Sequence, residues 1–258
     1  MLKDPVTLIG IGEIGAVLAR GLLRCGHPVF PITREMSIDE AARAMPEPAA
    51  VVIAVGESAL DSVLAALPEH WRGRAVLLQN ELLPRDWQRH GLTDPTVLSV
   101  WFEKKRGMDV KILMPCPIHG PHAGLIARAL EALDIPVRRV DTPEAMEREL
   151  VVKNLYILTT NIAGLVVGGD VQTLWADHQA LAQDVLRDVI ALQEHLTGHR
   201  HNEAELIAGL LDGFQGDPCH PCMGRSAPAR LARALAQADA AGLPVPTLRR
   251  IATNIPQG

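Results

Sequence analysis

The chain has 258 residues, 48 % of them hydrophobic and 21 % charged, which is the composition of a folded globular protein rather than a disordered one. Its formal net charge is −5, and the absence of a basic run argues against a nucleic-acid or anionic-membrane partner. The four cysteines include two isolated ones, Cys25 and Cys116, and form no disulfide framework. We therefore expect a reducing, cytoplasmic location.

No targeting or membrane segment is predicted. The N-terminal residues enter a strand at once, which argues against a signal peptide. The longest uncharged stretch, residues 154–169, contains polar residues and is shorter than the roughly 20 residues needed to cross a bilayer. It is predicted to form a buried helix.

A glycine motif follows the first predicted strand, Val6–Ile9, and precedes a helical pattern. It consists of Gly10, Ile11, Gly12, Glu13, Ile14 and Gly15. In this context Gly10 permits a tight turn, Gly12 lets a diphosphate approach the backbone, and Gly15 lets the helix pack close to the strand. The start of the helix offers free N–H groups and a positive dipole end. The motif predicts dinucleotide binding; the alternative is a glycine-rich turn without a ligand.

The end of the second strand, Val29–Ile32, bears on which dinucleotide is bound. Thr33 and Arg34 follow it, where an NAD site usually has an acidic residue that binds both ribose hydroxyls. A guanidinium can hold a 2′-phosphate through forked, charge-assisted hydrogen bonds, so we favour NADP. Two alternatives stay open: Glu35 binds a ribose hydroxyl, or Arg34 is a solvated loop charge.

The rest of the first half alternates short apolar runs with helical patterns, which is typical of βαβ units and a parallel sheet. Further strands are predicted at residues 50–55, 75–79, 97–101, 111–114 and 137–140, and helices at residues 60–67 and 123–133. The charged residues 103–106 are predicted to form a solvated loop, whose position could put it over a ligand crevice.

The pattern becomes helical after Asp141, where residues 141–144 resemble a capping box. Helices are predicted at residues 147–167, 171–196, 203–211, 227–241 and 247–254. The predicted fold class is α/β: a Rossmann-type, doubly wound parallel sheet over residues 1–141, followed by an all-helical substrate and dimerisation domain over residues 142–258. Ligands of such folds bind beside the carboxyl ends of the strands.

Three polar residues interrupt the apolar helix predicted at residues 147–167. Lys153 could protonate a carbonyl oxygen, and Asn154 and Asn161, seven residues apart on one face, could orient that oxygen. The alternative is structural: Lys153 extends its ammonium to solvent, and the asparagines bond to neighbouring helices.

Together these features resemble ketopantoate reductase, within the 6-phosphogluconate-dehydrogenase-like group of NADP-dependent reductases. The resemblance rests on the glycine motif, Gly26-His27, Arg34, Gln79-Asn80, Lys153 with Asn161, and residues 242–246. It implies that Asn80 contacts the cofactor near its reactive end, that Lys153 is the general acid and that Asn161 holds the substrate. The predicted cofactor-binding set is Gly10, Gly12, Glu13, Ile14, Gly15, Thr33, Arg34, Val55, Gly56 and Asn80.

The chain departs from this family pattern at the substrate side. Ile157 stands where the family places an asparagine, and residues 225–228 lack the late carboxylate. The turn after the third strand, residues 55–58, lacks the lysine that is usual there. We therefore expect hydride transfer between NADPH and a small keto or hydroxy acid other than ketopantoate, by a homodimer.

Two other functions stay open. The chain could be a non-catalytic NADP-binding sensor or interaction protein that has lost substrate chemistry. It could also bind a metal through Cys116, His119, Cys219 and Cys222, since thiolates and imidazoles suit tetrahedral Zn²⁺. The Cys219–Cys222 pair could alternatively act as a redox dithiol.

Overall fold

The structure, a computed structural model, describes residues 3–254. The chain divides into two compact units, Met1–Leu150 and Val151–Gly258, and the helix Pro143–Val167 runs through this boundary. The predicted boundary, after residue 141, lies just before the start of that helix, whereas the two units divide within it, after Leu150. A cofactor role for one part and a substrate role for the other stay predictions.

The first unit contains a seven-stranded sheet in the order β2-β1-β3-β4-β5-β8-β9 and a separate two-stranded sheet, β6-β7. The strands are β1 Val6–Ile9, β2 Val29–Ile32, β3 Val51–Ile53, β4 Ala75–Leu77, β5 Thr96–Leu98, β6 Phe102–Glu103, β7 Lys111–Ile112, β8 Cys116–His119 and β9 Val137–Arg139. Strands β1, β3 and β4 are buried along their whole length, as expected for the centre of a parallel sheet. The predicted α/β fold class, a mostly parallel sheet followed by helices, is confirmed.

Six helices belong to this unit: α1 Glu13–Arg24, α2 Ile38–Ala44, α3 Glu57–Ala65, α4 Glu69–Arg72, α5 Pro84–Gln88 and α6 Ala123–Glu131. Helices α1 and α6 touch backbone to backbone, because a Cβ atom at Gly21 would lie 2.0 Å from the carbonyl oxygen of Ala129. This close packing holds α1 and its glycine loop against the sheet.

The sheet differs from the prediction beyond β5. Strand β8, which was not predicted, pairs antiparallel with β5, so the sheet is mixed at that position. The strand predicted at residues 111–114 is shorter and pairs with β6 in the two-stranded sheet. Residues 104–106 lie in the loop that joins β6 to β7, and Lys105 and Arg106 are exposed there, so the predicted solvated loop is confirmed at these positions. Glu103 instead belongs to β6, which the buried Phe102 anchors.

The second unit is helical. Its elements are the C-terminal part of α7 Pro143–Val167, α8 Val171–Asp177, α9 Gln179–Thr197, α10 Glu203–Gly216, α11 Ala227–Ala241 and α12 Pro246–Asn254. The single helix predicted at residues 171–196 is two helices, because the backbone leaves the helical region at His178 (φ −127°, ψ 30°). The capping residue of α7 is Thr142, whose Oγ1 accepts from the Ala145 N–H at 3.1 Å.

Helix α12 is attached to α9 through a buried carboxylate. Asp188 accepts hydrogen bonds from the N–H groups of Thr247 at 2.7 Å and Leu248 at 3.0 Å. These are N–H groups at the start of a helix, which have no partner within it.

Helix α7 is long and apolar enough, by length and composition, to cross a membrane. However, 78 % of its most apolar window is buried inside the protein, which is typical of a core helix. The buried helix predicted for the uncharged residues 154–169 is therefore confirmed, but it begins earlier, at Pro143.

Candidate functional site

The glycine loop between β1 and α1 has the geometry that its sequence predicts. Gly10 has φ +91°, and a Cβ there would lie 2.7 Å from the carbonyl oxygen of Ala54. A Cβ at Gly15 would lie 2.3 Å from the carbonyl oxygen of Gly10, whereas one at Gly12 would meet no atom within 4 Å. The first and third glycines are therefore required by the protein itself. The second leaves open space in front of the helix.

The start of α1 faces that open space with unused donors. Gly12 is the N-cap residue, and no side chain caps the helix there. The first N–H groups of a helix lack intrahelical partners and carry the positive end of its dipole. A group with negative oxygens, such as a diphosphate, would satisfy them.

Two cavities meet at this loop. The larger, of about 700 Å³, extends over the ends of β1 and β2 and is lined by Gly10, Gly12, Thr33 and Arg34 among others. The smaller, of about 260 Å³, extends toward β4 and is lined by Glu13, Ile14, Glu57, Gln79 and Asn80 among others. Both include Gly12, Ala54, Val55 and Gly56. These shared residues follow β1 and β3, where the strand order reverses and where doubly wound sheets bind their ligands.

Arg34 is the basic residue of the larger cavity. Its side chain is exposed, and within residues 3–254 it forms no ion pair. The neighbouring Glu35 accepts a hydrogen bond from Thr33 Oγ1 at 3.2 Å, so this carboxylate has a partner other than Arg34. The guanidinium is therefore available to an anionic ligand.

Gln79 and Asn80 occupy different roles at the end of β4. Gln79 is buried, and its Nε2 donates to the carbonyl oxygens of Ile53 at 2.7 Å and Val55 at 3.2 Å. It therefore joins the ends of β3 and β4. Asn80 donates from Nδ2 to Glu57 Oε1 at 3.2 Å and lines the smaller cavity. Gln79 shapes this end of the sheet, and the cofactor contact of Asn80 stays a prediction.

Lys153 in α7 lies in a polar and aromatic environment within the second unit. Its Nζ is 5.5 Å from the centre of the Tyr156 ring, within the range of a cation–π contact. The Tyr156 ring lies 6.0 Å from that of His220, and His220 Nδ1 is 3.4 Å from Asp217 Oδ2. His220 and Asp217 could not be predicted as neighbours of α7 from the sequence, because segment 217–222 reaches this helix only through tertiary packing.

The two asparagines of α7 have different partners. Asn154 donates to Gln193 Oε1 at 2.9 Å. Asn161 donates from Nδ2 to the carbonyl oxygen of Cys222 at 3.2 Å and accepts from Arg230 at 2.8 Å. Both amides therefore connect α7 to other parts of the second unit. The substrate-holding role of Asn161 stays a prediction.

The cysteine residues have structural contacts in their own units. Cys116 is buried, and its Sγ accepts a hydrogen bond from the Trp101 N–H at 3.2 Å. Burial, and to a lesser extent the Asp170 carboxylate, raises the pKa of the Cys222 thiol to about 11. Since metal ligation and thiol exchange use the thiolate, the surroundings of Cys116 and Cys222 favour packing roles. Cys219 is exposed, and the metal and dithiol alternatives stay untested predictions.

No protein-family model and no curated protein matches the chain. Solved structures do match it. A PanE/ApbA family ketopantoate reductase from Ralstonia eutropha is 18 % identical, with 97 % of each chain covered and a TM-score of 0.67. A dimeric ketopantoate reductase from Staphylococcus aureus is 18 % identical, with 97 % of each chain covered and a TM-score of 0.64. The chain has the fold of the ketopantoate reductases.

The same fold occurs in a D-mandelate dehydrogenase solved with NADH, which is 11 % identical, with 97 % of each chain covered and a TM-score of 0.68. On this ketopantoate reductase fold, nine of the ten predicted cofactor residues line the two cavities. Gly15 does not line them, because it packs beneath Gly10. Lys153 and Asn161 both lie on α7, but Lys153 contacts Tyr156, whereas Asn161 bonds to Cys222 and Arg230.

Proposed function

We propose that the protein is an NADP-dependent oxidoreductase that interconverts a small keto acid and the corresponding hydroxy acid. The observation that carries the proposal is the space in front of α1. Gly12 leaves it empty, Gly10 and Gly15 are required by the backbone around it, and two cavities open from it. A dinucleotide needs this combination of close backbone approach and room on both sides.

The choice of NADP rests on Arg34. The fold alone does not choose between the two nicotinamide cofactors, since the D-mandelate dehydrogenase was solved with NADH. Here the second strand ends in Thr33 and Arg34, and Arg34 lines the larger cavity. A guanidinium there favours a 2′-phosphate.

Lys153 is the proposed proton donor. When bound, NADPH would supply the hydride. Lys153 would hold a proton for the carbonyl oxygen of the substrate, and its contact with the Tyr156 ring would orient the ammonium. The hydrogen bonds of Asn161 to Cys222 and Arg230 would hold that amide in one orientation beside the substrate.

The substrate class follows the proteins that share the fold, which are named for ketopantoate and D-mandelate. Ile157 and the missing late carboxylate favour an acid other than ketopantoate. We propose a cytoplasmic homodimer, supported by the dimeric Staphylococcus aureus reductase. Size-exclusion chromatography with light scattering tests the dimer.

A turnover screen tests the activity. Oxidation of NADPH is followed by its absorbance over a panel of 2-keto acids including ketopantoate, and 2- and 3-hydroxy acids are run with NADP⁺. We expect turnover with at least one member of the panel. NADPH binding without turnover on any of them would favour the non-catalytic sensor, and absence of binding would exclude both.

A thermal-shift comparison tests the cofactor preference. NADPH is expected to raise the melting temperature more than NADH does, because at equal concentration the cofactor with the lower Kd stabilises the folded state more. A ligand present at 100 times its Kd contributes about 2.7 kcal/mol. Arg34→Met should remove the difference between the two cofactors. Arg43→Met, an exposed arginine on α2, is the matched control and should keep it.

A further inference from the structure

Lys104, in the β6–β7 hairpin, places a positive charge beside the start of α1. Its Nζ donates to the carbonyl oxygens of Lys105, at 2.9 Å, and Met108, and lies 3.6 Å from Glu13 Oε2. The side chain is 22 % exposed. An ammonium has three donors. Two are used by the hairpin itself, and the remaining side of the group faces Glu13.

The contact between Lys104 and Glu13 is an ion pair rather than a hydrogen bond, because 3.6 Å exceeds the usual donor–acceptor range. Glu13 is the first residue of α1 and is 44 % exposed. Such a pair contributes little to folding. A ligand oxygen that comes closer to the ammonium than the carboxylate does could replace it.

The residues that line the two cavities place no positively charged side chain at the start of α1, where a diphosphate would lie. The acidic residues that line them are Glu13, Glu35 and Glu57, and the basic one is Arg34. Arg34 follows β2, at the far end from β4, so a diphosphate in front of α1 would face Glu13 and Glu57. Helix N–H groups alone offer partial charges. Lys104 carries a full positive charge and, although it lines neither cavity, contacts Glu13 at the start of α1.

We propose that Lys104 binds the diphosphate of the dinucleotide and that Glu13 is its partner in the ligand-free protein. On binding, the ammonium would keep its two hairpin carbonyls and exchange the carboxylate for a phosphate oxygen. The hairpin would thereby be attached to the ligand. This inference rests on the proposed function, since it deepens the description of the same cofactor site.

The experiment measures the Kd of two ligand fragments by calorimetry. One, 2′-phospho-ADP-ribose, contains the diphosphate; the other, adenosine 2′-monophosphate, does not. Lys104→Met is expected to raise the Kd for 2′-phospho-ADP-ribose about tenfold, as loss of a charge-assisted contact would, and to leave adenosine 2′-monophosphate unaffected. Arg34→Met should weaken both. Glu13→Gln should tighten binding of 2′-phospho-ADP-ribose, because a competing carboxylate is removed.

Lys105→Met is the matched control. Lys105 is on the same hairpin, is 59 % exposed and pairs with Glu103 at 3.1 Å rather than with Glu13, so its replacement should change neither Kd. Lys104→Arg keeps the charge and should bind nearly as the wild type does, which separates loss of charge from a hairpin that fails to form.

The outcomes distinguish the inference from the proposed function. Wild-type protein that binds 2′-phospho-ADP-ribose, together with a folded Lys104→Met variant of equal Kd, would overturn the role of Lys104 and leave the cofactor site standing. Equal losses for both fragments would also overturn it, because they would indicate general damage. Wild-type protein that binds neither fragment, nor NADPH, would overturn the proposed function.

Discussion

The α-carbon of Gly15 lies so close to the carbonyl oxygen of Gly10 that a Cβ atom there would be 2.3 Å from it. The third glycine of the motif therefore supports the first: the start of α1 rests on the turn that Gly10 makes at φ +91°. Gly12, between them, has no such neighbour. The two constraints, folding and ligand binding, thus fall on different glycines.

Alanine substitutions should separate these constraints. Gly15→Ala is expected to lower the free energy of unfolding by about 3 kcal/mol, because the methyl group collides with backbone. Gly12→Ala should change it by about 1 kcal/mol or less, since its φ of −78° suits any residue and the methyl group meets nothing. Urea unfolding measures both.

The order of the two variants should be reversed for NADPH affinity, where Gly12→Ala is expected to have the larger effect. Gly12→Ala should weaken NADPH binding at least about tenfold, because the methyl group occupies the space where a diphosphate would approach the backbone. Gly56, after the third strand, is also open, with no atom near a Cβ built on it. The NADPH affinity of Gly56→Ala therefore measures the effect of a methyl group on that side of the site. A stable Gly12→Ala variant with wild-type affinity would remove the diphosphate from this loop.

How much the sequence predicts depends on how local each constraint is. The glycine motif needs only a strand, a turn and a helix in consecutive residues, and the structure places it as expected. Strand β8 contains Pro117, which argues against a strand, and its pairing with β5 depends on residues far apart in the chain. The sequence therefore predicted a parallel sheet and missed its antiparallel member.

The candidate site divides in the same way. The position of Arg34 beside the larger cavity could be predicted, because this residue closely follows a strand at the edge of the sheet where ligands bind. For Lys104 the sequence predicts only a charged, solvated loop whose position could put it over a crevice, since its contact with Glu13 requires the hairpin. The contact of Lys153 with Tyr156 follows from their spacing of three residues on one helix, whereas His220 reaches the Tyr156 ring through packing, which no spacing in the sequence encodes.

Asp188 is expected to be important for the stability of the helical unit. Asp188→Ala should lower the free energy of unfolding by about 2 kcal/mol, because two N–H groups at the start of α12 lose their buried acceptor. Asp184, on the same helix, pairs with Arg187 and Arg250 while 35 % exposed. Asp184→Ala should cost about 1 kcal/mol or less. Equal losses in urea unfolding would contradict the capping role.

Lys153 can be tested as a proton donor with two substitutions. Lys153→Met should lower kcat about a hundredfold or more, the usual contribution of a general acid, and leave the Kd for NADPH unchanged. Lys153→Arg keeps the charge and the contact with Tyr156, but a guanidinium does not release its proton. It should therefore be nearly as slow. An active Lys153→Arg variant would indicate that the residue binds the substrate by charge instead.

Cys222 is expected to make stability depend on pH in the alkaline range. Burial raises the pKa of its thiol from 9.0 to about 11 in the folded chain. As the pH rises through this interval, the unfolded chain loses the proton while the folded chain still holds it. The unfolded state therefore binds fewer protons, and the free energy of unfolding falls as the pH increases.

Urea unfolding of three proteins at about pH 8 and about pH 10 measures this contribution. Cys222→Ala should be less stable than the wild type at the lower pH, because it leaves a cavity, yet lose less stability between the two. Cys219→Ala, an exposed cysteine of the same segment, should follow the wild type. If Cys222→Ala and the wild type lose stability equally, the thiol ionises alike in both states and is not protected by burial.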